Sequence, residues 1–215
     1  MIMKLYGDPG SGSTRRVLAA LYHIGAEFEF ELIDLFKGDN RTPQFLALNP
    51  NGMIPVLVDD DAVLYEAAAI NLYLAEKFSS NLLPAGVDRS LTLQWMFWAA
   101  EHWRQGPPVL FNERVAKTIM GLPQDPRAIA DAEASIRKFA AILDDHLQDR
   151  QYVVGKHFTL ADIDLAATFT HLPRSRPPYD EFPNVMAWHH RLLEHVPAWS
   201  RTRDKVEQRM AALMK

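Results

Sequence analysis

The stretch LNPNGMIPVLVDDDAVLYEAAAINLYLAEKF, residues 48–78, decides the fold of the N-terminal half. Its two apolar runs, residues 54–58 and 62–65, flank a turn of aspartates, and this pattern predicts an antiparallel hairpin. Pro55 lacks a backbone N–H and therefore belongs at the start of the first strand, after either an ordinary turn or a cis Ile54–Pro55 bond. Residues 66–78 repeat apolar side chains at helical spacing, which predicts a helix directly after the hairpin.

The residues before this stretch predict a β-α-β unit. Residues 3–6 and 28–32 are short runs of aromatic and aliphatic types, which is typical of strands. Between them, apolar side chains recur at helical spacing up to Gly25, and glycine is a common residue at the end of a helix. Residues 43–48 predict one further short helix. We therefore expect an α/β domain in this half of the chain.

The second half of the chain has a different pattern. A segment rich in Ser, Asn, Pro and Gly follows the predicted helix, as is typical of a linker. No strand pattern occurs beyond it, whereas residues 129–147 repeat apolar side chains every three or four positions. We predict an α/β domain over residues 1–80, a linker over residues 81–87, and an all-α domain of about five helices over residues 88–215.

The composition is that of an ordinary folded protein. Hydrophobic residues make up 48% of the 215 residues and charged residues 23%, so we expect a sizeable core. The net charge of −4 argues against non-specific nucleic-acid binding. No apolar run approaches the roughly 20 residues of a membrane span, and no signal-peptide core follows the start. We therefore expect a cytoplasmic protein that binds neither nucleic acid nor membrane.

The chain contains no cysteine, which excludes disulfides, Cys-based metal sites and a thiol nucleophile of its own. Any sulfur chemistry must use the sulfur of a ligand. The cluster of His190, Glu194 and His195 does not have the spacing of the zinc-binding helix motifs. We therefore expect no metal site.

Residues 7–16, GDPGSGSTRR, lie between the first predicted strand and the first helix. Gly7, Gly12 and Thr14 match a phosphate-binding loop, but Ser13 stands where that motif needs its lysine, so this interpretation is weak. Ser11 presents a hydroxyl at the start of the helix, where backbone N–H groups and the helix dipole favour an anion. A thiol has a pKa of about 8.5, so such a site would help to hold a ligand's thiolate. A plain turn and helix cap also explain these residues.

Several segments together resemble the soluble glutathione transferases, most closely the serine-type phi class and its bacterial relatives. The resemblance covers nearly the whole chain and rests on the order of KLYG before Ser11, KGDNRTPQFLALNPNGMIPVL from Lys37, LYEAAAINLYLAEKF from Leu64, GLPQDP from Gly121 and VGKHFTLADIDLA from Val154. It implies a thioredoxin-like N-terminal domain that binds glutathione and an all-α C-terminal domain that completes a pocket for the electrophile. It also implies a homodimer that joins the glutathione thiolate to small hydrophobic electrophiles, with peroxide reduction as a side activity.

The resemblance also implies roles for individual residues. Ser11 would hydrogen-bond the glutathione sulfur, with Ser13 as the fallback. The backbone of Ile54 would pair with the cysteinyl part of glutathione, and Glu66 would receive the γ-glutamyl ammonium. Arg41, at a basic position of the family pattern, would receive the glycyl carboxylate, because a guanidinium suits a bidentate contact.

Three positions of the glutathione site depart from the phi pattern. Ala67 stands where the family has a serine, Met53 replaces a glutamine and Asn40 replaces a histidine. At about 0.5–1.5 kcal/mol for each neutral hydrogen bond, losing two would weaken glutathione binding roughly five- to a hundredfold. The alternative hypothesis is therefore a non-catalytic binding protein that keeps the fold.

Two segments of the predicted helical domain have assigned roles. WMFWAAEHW, residues 95–103, is dense in aromatics; such stripes are usually core, but by position in the family His102, Trp103 and Phe111 are expected to face the electrophile. Thr159 and Asp162 have capping-box spacing, which indicates a helix start rather than a catalytic site.

Overall fold

A mixed four-stranded sheet forms the centre of the N-terminal half. In the computed structural model, which describes residues 2–214, the strands are β1 (Met3–Gly7), β2 (Phe28–Leu32), β3 (Val56–Asp59) and β4 (Ala62–Tyr65). Their order is β2-β1-β3-β4; β1 is parallel to β2 and antiparallel to β3, and β3 is antiparallel to β4. The predicted β-α-β unit and hairpin are confirmed. Because only one pair is parallel, the sheet differs from the parallel sheet that a phosphate-binding loop would accompany.

Three helices belong to this domain: α1 (Gly12–Ile24), α2 (Pro43–Leu48) and α3 (Ala67–Lys77). The backbone N–H of Gly25, at φ 74°, donates to Leu21 C=O and ends α1, as the sequence predicted. Thr42 caps α2 by accepting a hydrogen bond from Phe45 N–H. Helix α1 contacts both α3 and the helical domain, so it carries residues of the first turn to the boundary between the two domains.

The second half is entirely helical among the described residues. Its segments are α4 (Gly86–Trp98), α5 (Gly106–Phe111), α6 (Lys117–Ile119), α7 (Pro126–Leu147), α8 (Leu160–Ala166), α9 (Leu172–Ser175), α10 (Pro183–His195) and α11 (Pro197–Leu213). A π-helical turn at residues 112–116 joins α5 and α6 into one helix, and the resulting seven helices within residues 2–214 exceed the predicted number of about five. The reason is that proline near a first turn begins a new helix, as in α5, α7, α9, α10 and α11.

One large hydrophobic core extends through both halves and includes side chains from the sheet, α1, α4, α7, α8 and α10. A buried ion pair also joins the halves, since Nη1 of Arg16 on α1 lies 2.9 Å from Oδ1 of Asp164 on α8. The extensive core fixes the N-terminus of α1 relative to the helical domain. No helix within residues 2–214 is long and apolar enough to cross a membrane.

The start of α8 is organised by Asp162. The predicted capping box with Thr159 is confirmed, and the Asp162 carboxylate also accepts hydrogen bonds from Val153 N–H and Trp188 Nε1, each at 2.9 Å. Burial raises the pKa of Asp162 to about 6, although these hydrogen bonds act in the opposite direction. This carboxylate therefore has a structural role in the core, as the sequence predicted.

Candidate functional site

A cleft of about 440 Å³ lies where the N-terminus of α1 meets the helical domain. The β1–α1 loop forms one side, and α5, α9 and α11 contribute to the others. Its apolar lining includes Leu35, Phe36, Pro108, Phe111, Met210 and Leu213. A concave, mostly apolar space with a few polar groups is typical of a small-molecule site.

Ser11 is the N-cap of α1 and lines this cleft. Its backbone is extended, at φ −81° and ψ 129°, and its Oγ accepts a hydrogen bond from Thr14 N–H at 3.4 Å. The N–H groups of Gly12 and Ser13 precede the first intrahelical hydrogen bond, from Arg15 N–H to Ser11 C=O, and both residues also line the cleft. A hydroxyl, two backbone donors and the positive end of α1 thus occupy one side of the cleft.

The glycines of this loop have packing roles. A Cβ built on Gly7 would lie 2.6 Å from Cγ2 of Thr14, and one built on Gly12 would lie 3.2 Å from Ala167 C=O. Larger side chains would therefore push α1 away from β1 and from the helical domain. Close packing accounts for the glycine spacing that resembled a phosphate-binding loop.

Two guanidinium groups, which the sequence analysis did not single out, also line the cleft: Arg16 and Arg104. Arg16 is 2% exposed; it pairs with Asp164, while its Nε has no hydrogen-bond partner among the described residues. Arg104 is half-buried, and burial followed by the charge of Arg16 lowers its pKa, although the charges of Asp164 and Glu66 act in the opposite direction. The two arginines are distant in sequence, and no local motif connects them.

His171 contributes a neutral imidazole to the cleft. Its Nε2 lies 2.7 Å from Gly10 C=O, so this nitrogen carries the proton, and its ring stacks on Phe111 with centroids 4.1 Å apart. Burial lowers the pKa of His171 to about 4, with the charges of Arg174 and Arg15 adding to the effect and the Gly10 hydrogen bond opposing it. The ring therefore stays uncharged at neutral pH and positions Phe111 in the cleft.

An ion-pair network holds α11 against the β1–α1 loop. Nη2 of Arg209 lies 2.8 Å from Asp8 Oδ2 and 3.1 Å from Asp34 Oδ2. Burial would raise the pKa of Asp34, but Arg209 and the N–H groups of Phe36 and Lys37 lower it overall. The network brings Met210 and Leu213, on the same helix, into the cleft wall.

The residues expected to bind the glycyl and cysteinyl parts of glutathione lie around one loop. Asn40 donates from Nδ2 to Gly52 C=O at 2.7 Å, and a Cβ built on Gly52 would lie 2.8 Å from Nη1 of Arg41. Met53 is 62% exposed. The Ile54–Pro55 bond is cis, and Ile54 lies beyond the β1–β3 ladder, which ends at the Tyr6–Val56 pair. The fold thus brings Asn40, Arg41, Met53 and Ile54 together.

The two residues expected at the γ-glutamyl end begin α3. Glu66 is its N-cap, with φ 69° and an exposed side chain, whereas Ala67 is 2% exposed and has no hydroxyl. A non-glycine residue with positive φ is uncommon and often lies at a binding site. This end of α3 keeps a carboxylate for an ammonium group but offers only backbone donors to a carboxylate.

The structure corrects part of the expected electrophile pocket. Phe111 lines the cleft, but Trp103 is 1% exposed and donates from Nε1 to Leu165 C=O at 2.9 Å in the core. His102 is exposed and stacks on Phe139, outside the cleft lining. The reason is that residues 99–103 form a π-helical turn that directs Trp103 into the core. Pocket residues come instead from α5, α9 and α11.

Histidine and carboxylate side chains form no cluster of three or more within residues 2–214 that could hold a metal ion.

The fold and the cleft define a thioredoxin-like domain joined to an all-α domain, with a helix N-terminus facing the space between them. Comparison with known families agrees: the model of the N-terminal domain of glutathione S-transferase matches residues 1–76, and the model of its C-terminal domain matches residues 112–195. The chain belongs to the glutathione S-transferase family, and its similarity is to phi-type members.

Individual relatives cover nearly the whole chain. Glutathione S-transferase 3 of Zea mays is 34% identical over 207 residues, which cover 93% of this chain and 92% of the relative. Glutathione S-transferase F9 of Arabidopsis thaliana is 33% identical over 205 residues, which cover 93% of this chain and 90% of the relative. The crystal structure of glutathione transferase F7 from Populus trichocarpa has a TM-score of 0.88 at 27% identity, covering 95% of this chain and 99% of that one. The crystal structure of a glutathione S-transferase from Pseudomonas fluorescens has a TM-score of 0.81 at 31% identity, covering 92% of this chain and 97% of that one.

Proposed function

We propose that the protein is a cytoplasmic enzyme that conjugates glutathione, its co-substrate, to small hydrophobic electrophiles, with Ser11 stabilising the thiolate. The observation that carries the proposal is the position of Ser11 at the N-cap of α1 and in the cleft lining. Family membership supports the reaction class. The chain has no cysteine, so the reacting sulfur is that of glutathione.

The role of Ser11 follows from its hydrogen bonding. Its Oγ accepts from Thr14 N–H, which leaves the hydroxyl proton to donate to a sulfur. Together with the positive end of α1, this donor favours the thiolate over the thiol. Lowering a thiol pKa of about 8.5 by about two units, equivalent to roughly 2.7 kcal/mol, leaves most of it ionised at neutral pH. Catalysis then combines an activated thiolate with proximity to the electrophile.

The remaining contacts to glutathione are assigned to groups that lie outside the cleft lining. We assign the glycyl carboxylate to Arg41, the cysteinyl backbone to Ile54 and the γ-glutamyl ammonium to Glu66. The amide of Asn40 is already engaged with Gly52 C=O, so we assign it to holding the loop that carries Ile54. The backbone N–H of Ala67, in the first turn of α3, replaces the missing hydroxyl for the γ-glutamyl carboxylate.

We further propose a homodimer, as the family resemblance implies. Large apolar side chains are exposed on α4 and the neighbouring residues, including Phe97 at 65% and Phe78 at 40%. Exposed apolar surface favours association. Light scattering at micromolar concentration should give about twice the mass of one chain, and the mass of a single chain would contradict the dimer.

A second candidate function is a binding protein without turnover. Ala67 without a hydroxyl, Asn40 engaged within the protein and an exposed Met53 favour weakened glutathione binding. In that case the cleft would carry a ligand without activating a thiol.

Calorimetry and turnover distinguish the two candidates. We would measure glutathione binding and the conjugation of 1-chloro-2,4-dinitrobenzene by the protein, by Ser11→Ala and by the control Ser13→Ala. We expect binding in the millimolar range or tighter and a loss of at least about tenfold in kcat/KM for Ser11→Ala only, because a hydrogen bond to a charged group contributes about 1.5–3 kcal/mol. Absence of binding contradicts the transferase, and unchanged turnover in Ser11→Ala contradicts the role of Ser11.

A further inference from the structure

We propose that the cleft selects electrophiles that carry an anionic group, and that the guanidinium of Arg104 binds this group with support from Arg16. The proposal rests on the function proposed above and names the class of the second substrate: an apolar acid with an electrophilic carbon. Two features carry it, the unpaired charge of Arg104 and the apolar walls that face it.

Arg104 has a charge without a counterpart. Its side chain is half-buried in the cleft lining, yet it makes no hydrogen bond and no ion pair with any residue that the structure describes. Its guanidinium lies in the field of a second cation, Arg16. A partly desolvated cation next to another cation is unfavourable unless an anion joins them. A carboxylate or sulfonate on a ligand supplies that anion and suits the bidentate geometry of a guanidinium.

The neighbouring charges do not neutralise Arg104. Asp164 is engaged by Arg16 at 2.9 Å, and Asp8, the only carboxylate of the cleft lining among residues 2–214, is engaged by Arg209 at 2.8 Å. The charge of Glu66 reaches Arg104, but no ion pair forms, and Glu66 lies outside the lining of the cleft. The Nε of Arg16 is buried without a partner among residues 2–214, so it adds a second donor at the same wall.

The rest of the cleft fits the apolar part of such a molecule. Phe36, Pro108, Phe111, Met210 and Leu213 provide apolar surface in a space of about 440 Å³. Ser11 lines the same space as Arg104, so one small molecule can extend from the anion site to the thiolate. An uncharged electrophile would fill the apolar part but leave Arg104 desolvated and unpaired.

The reaction can be followed with 4-chloro-3,5-dinitrobenzoate as the probe. The thiolate sulfur adds to the ring carbon that carries chlorine, a C–S bond forms, and the C–Cl bond breaks as chloride leaves with its electron pair. The proton of the thiol passes to solvent. The methyl ester of the same compound undergoes the same substitution without the negative charge, so the pair isolates the effect of the carboxylate.

A carboxylate near Arg104 could also belong to glutathione itself, through its γ-glutamyl end. The experiment separates the two sources. If Arg104 binds the second substrate, its loss affects the acid more than the ester. If Arg104 binds glutathione, its loss raises the KM for glutathione by the same factor with both electrophiles.

The test measures kcat/KM for the acid and the ester in the protein, in Arg104→Gln, in Arg104→Lys and in Arg127→Gln, an exposed arginine used as a control. We expect the acid-to-ester ratio to fall about tenfold in Arg104→Gln, to recover partly in Arg104→Lys, and to stay unchanged in Arg127→Gln. An equal effect of Arg104→Gln on acid and ester overturns the proposal, as does a change confined to the KM for glutathione.

Binding provides a readout that does not require turnover. Calorimetry with 3,5-dinitrobenzoate, which has no leaving group, should show binding to the protein that is about tenfold weaker in Arg104→Gln. If neither electrophile is converted but 3,5-dinitrobenzoate still binds more weakly to Arg104→Gln than to the unaltered protein, the transferase proposal fails and the anion site stands. If the electrophiles are converted but Arg104→Gln changes neither the acid-to-ester ratio nor the binding of 3,5-dinitrobenzoate, the anion site fails and the transferase proposal stands.

Discussion

The Oγ of Ser11 accepts a hydrogen bond from the backbone N–H of Thr14 at 3.4 Å. This contact caps α1 and fixes the hydroxyl at the edge of the cleft, while its proton remains available to an acceptor. The hydroxyl of Thr14 accepts in turn from Asp8 N–H at 3.3 Å, so the loop and the first turn of α1 are tied together. Thiolate stabilisation is therefore expected to depend on the geometry of a helix cap.

Glutathione binding should become tighter when the missing hydroxyl of the γ-glutamyl site is restored. Ala67 is the first residue of α3, and Ala67→Ser adds a donor where the family pattern has a serine. One neutral hydrogen bond contributes about 0.5–1.5 kcal/mol, so calorimetry should show roughly two- to tenfold lower Kd. The control Ala69→Ser changes an exposed position of the same helix and should leave the Kd unchanged. An unchanged Kd in Ala67→Ser would place the γ-glutamyl end elsewhere.

Stability should depend on pH through His171. Burial lowers the pKa of this histidine to about 4, whereas an unfolded histidine has a pKa of about 6.5. Between these values the unfolded chain binds a proton that the folded protein does not, so the stability due to neutral His171 is lost as pH falls through this range.

The variant His171→Gln removes this proton linkage. The unfolding free energy of the protein minus that of the variant should be about 2 kcal/mol larger at about pH 7.5 than at about pH 5. Urea unfolding at both pH values measures the difference, and the exposed His157→Gln serves as the control. An equal difference at the two pH values would show that His171 titrates normally in the folded state.

Removing Arg209 should destabilise the protein. Arg209→Gln leaves Asp8 buried without a cation and leaves Asp34 with only the exposed Lys37 at 3.9 Å, which costs about 3 kcal/mol of unfolding free energy. The control Arg203→Gln removes an exposed pair with Asp204 and should cost less than about 1 kcal/mol. Urea unfolding measures both. Similar small losses in the two variants would show that the network does not hold α11.

Asp162→Asn, which replaces one carboxylate oxygen by an amide NH2 group, should strongly lower the unfolding free energy. Each carboxylate oxygen accepts two hydrogen bonds, and in either orientation the amide nitrogen of Asn would face at least one N–H donor, a loss of about 3 kcal/mol. Asp145→Asn, at an exposed position, should have little effect. Thermal and urea unfolding followed by circular dichroism test this, and a neutral Asp162→Asn would contradict the structural role.

The elements that sequence predicted well depend on local signals. The hairpin follows from two apolar runs around an acidic turn, and the capping box of Thr159 and Asp162 follows from spacing within one turn. The position of Ser11 at the start of α1 could be predicted because a hydroxyl residue beside glycine and directly before a helical pattern is a local signal for a helix N-cap. The number of helices was underestimated because prolines such as Pro197 begin helices as readily as they end them.

The parts that sequence did not predict depend on contacts between distant residues. Trp103 directly precedes Arg104 of the cleft lining, yet its indole donates to Leu165 C=O in the core, and a π-helical turn sets that orientation. Arg16 on α1, Arg104 just before α5 and His171 at the N-cap of α9 meet only because these segments pack around one space. Sequence periodicity does not predict which side chains from distant segments lie close together in the fold.

The pKa of the glutathione thiol in the binary complex reports directly whether Ser11 stabilises the thiolate. Ultraviolet absorbance of the thiolate, titrated against pH, gives this value for the protein, for Ser11→Ala and for the control Ser13→Ala. We expect the protein to lower the thiol pKa by about two units from about 8.5, and Ser11→Ala alone to return it towards that value. A bound thiol with an unshifted pKa, or one whose shift survives in Ser11→Ala, would contradict the account.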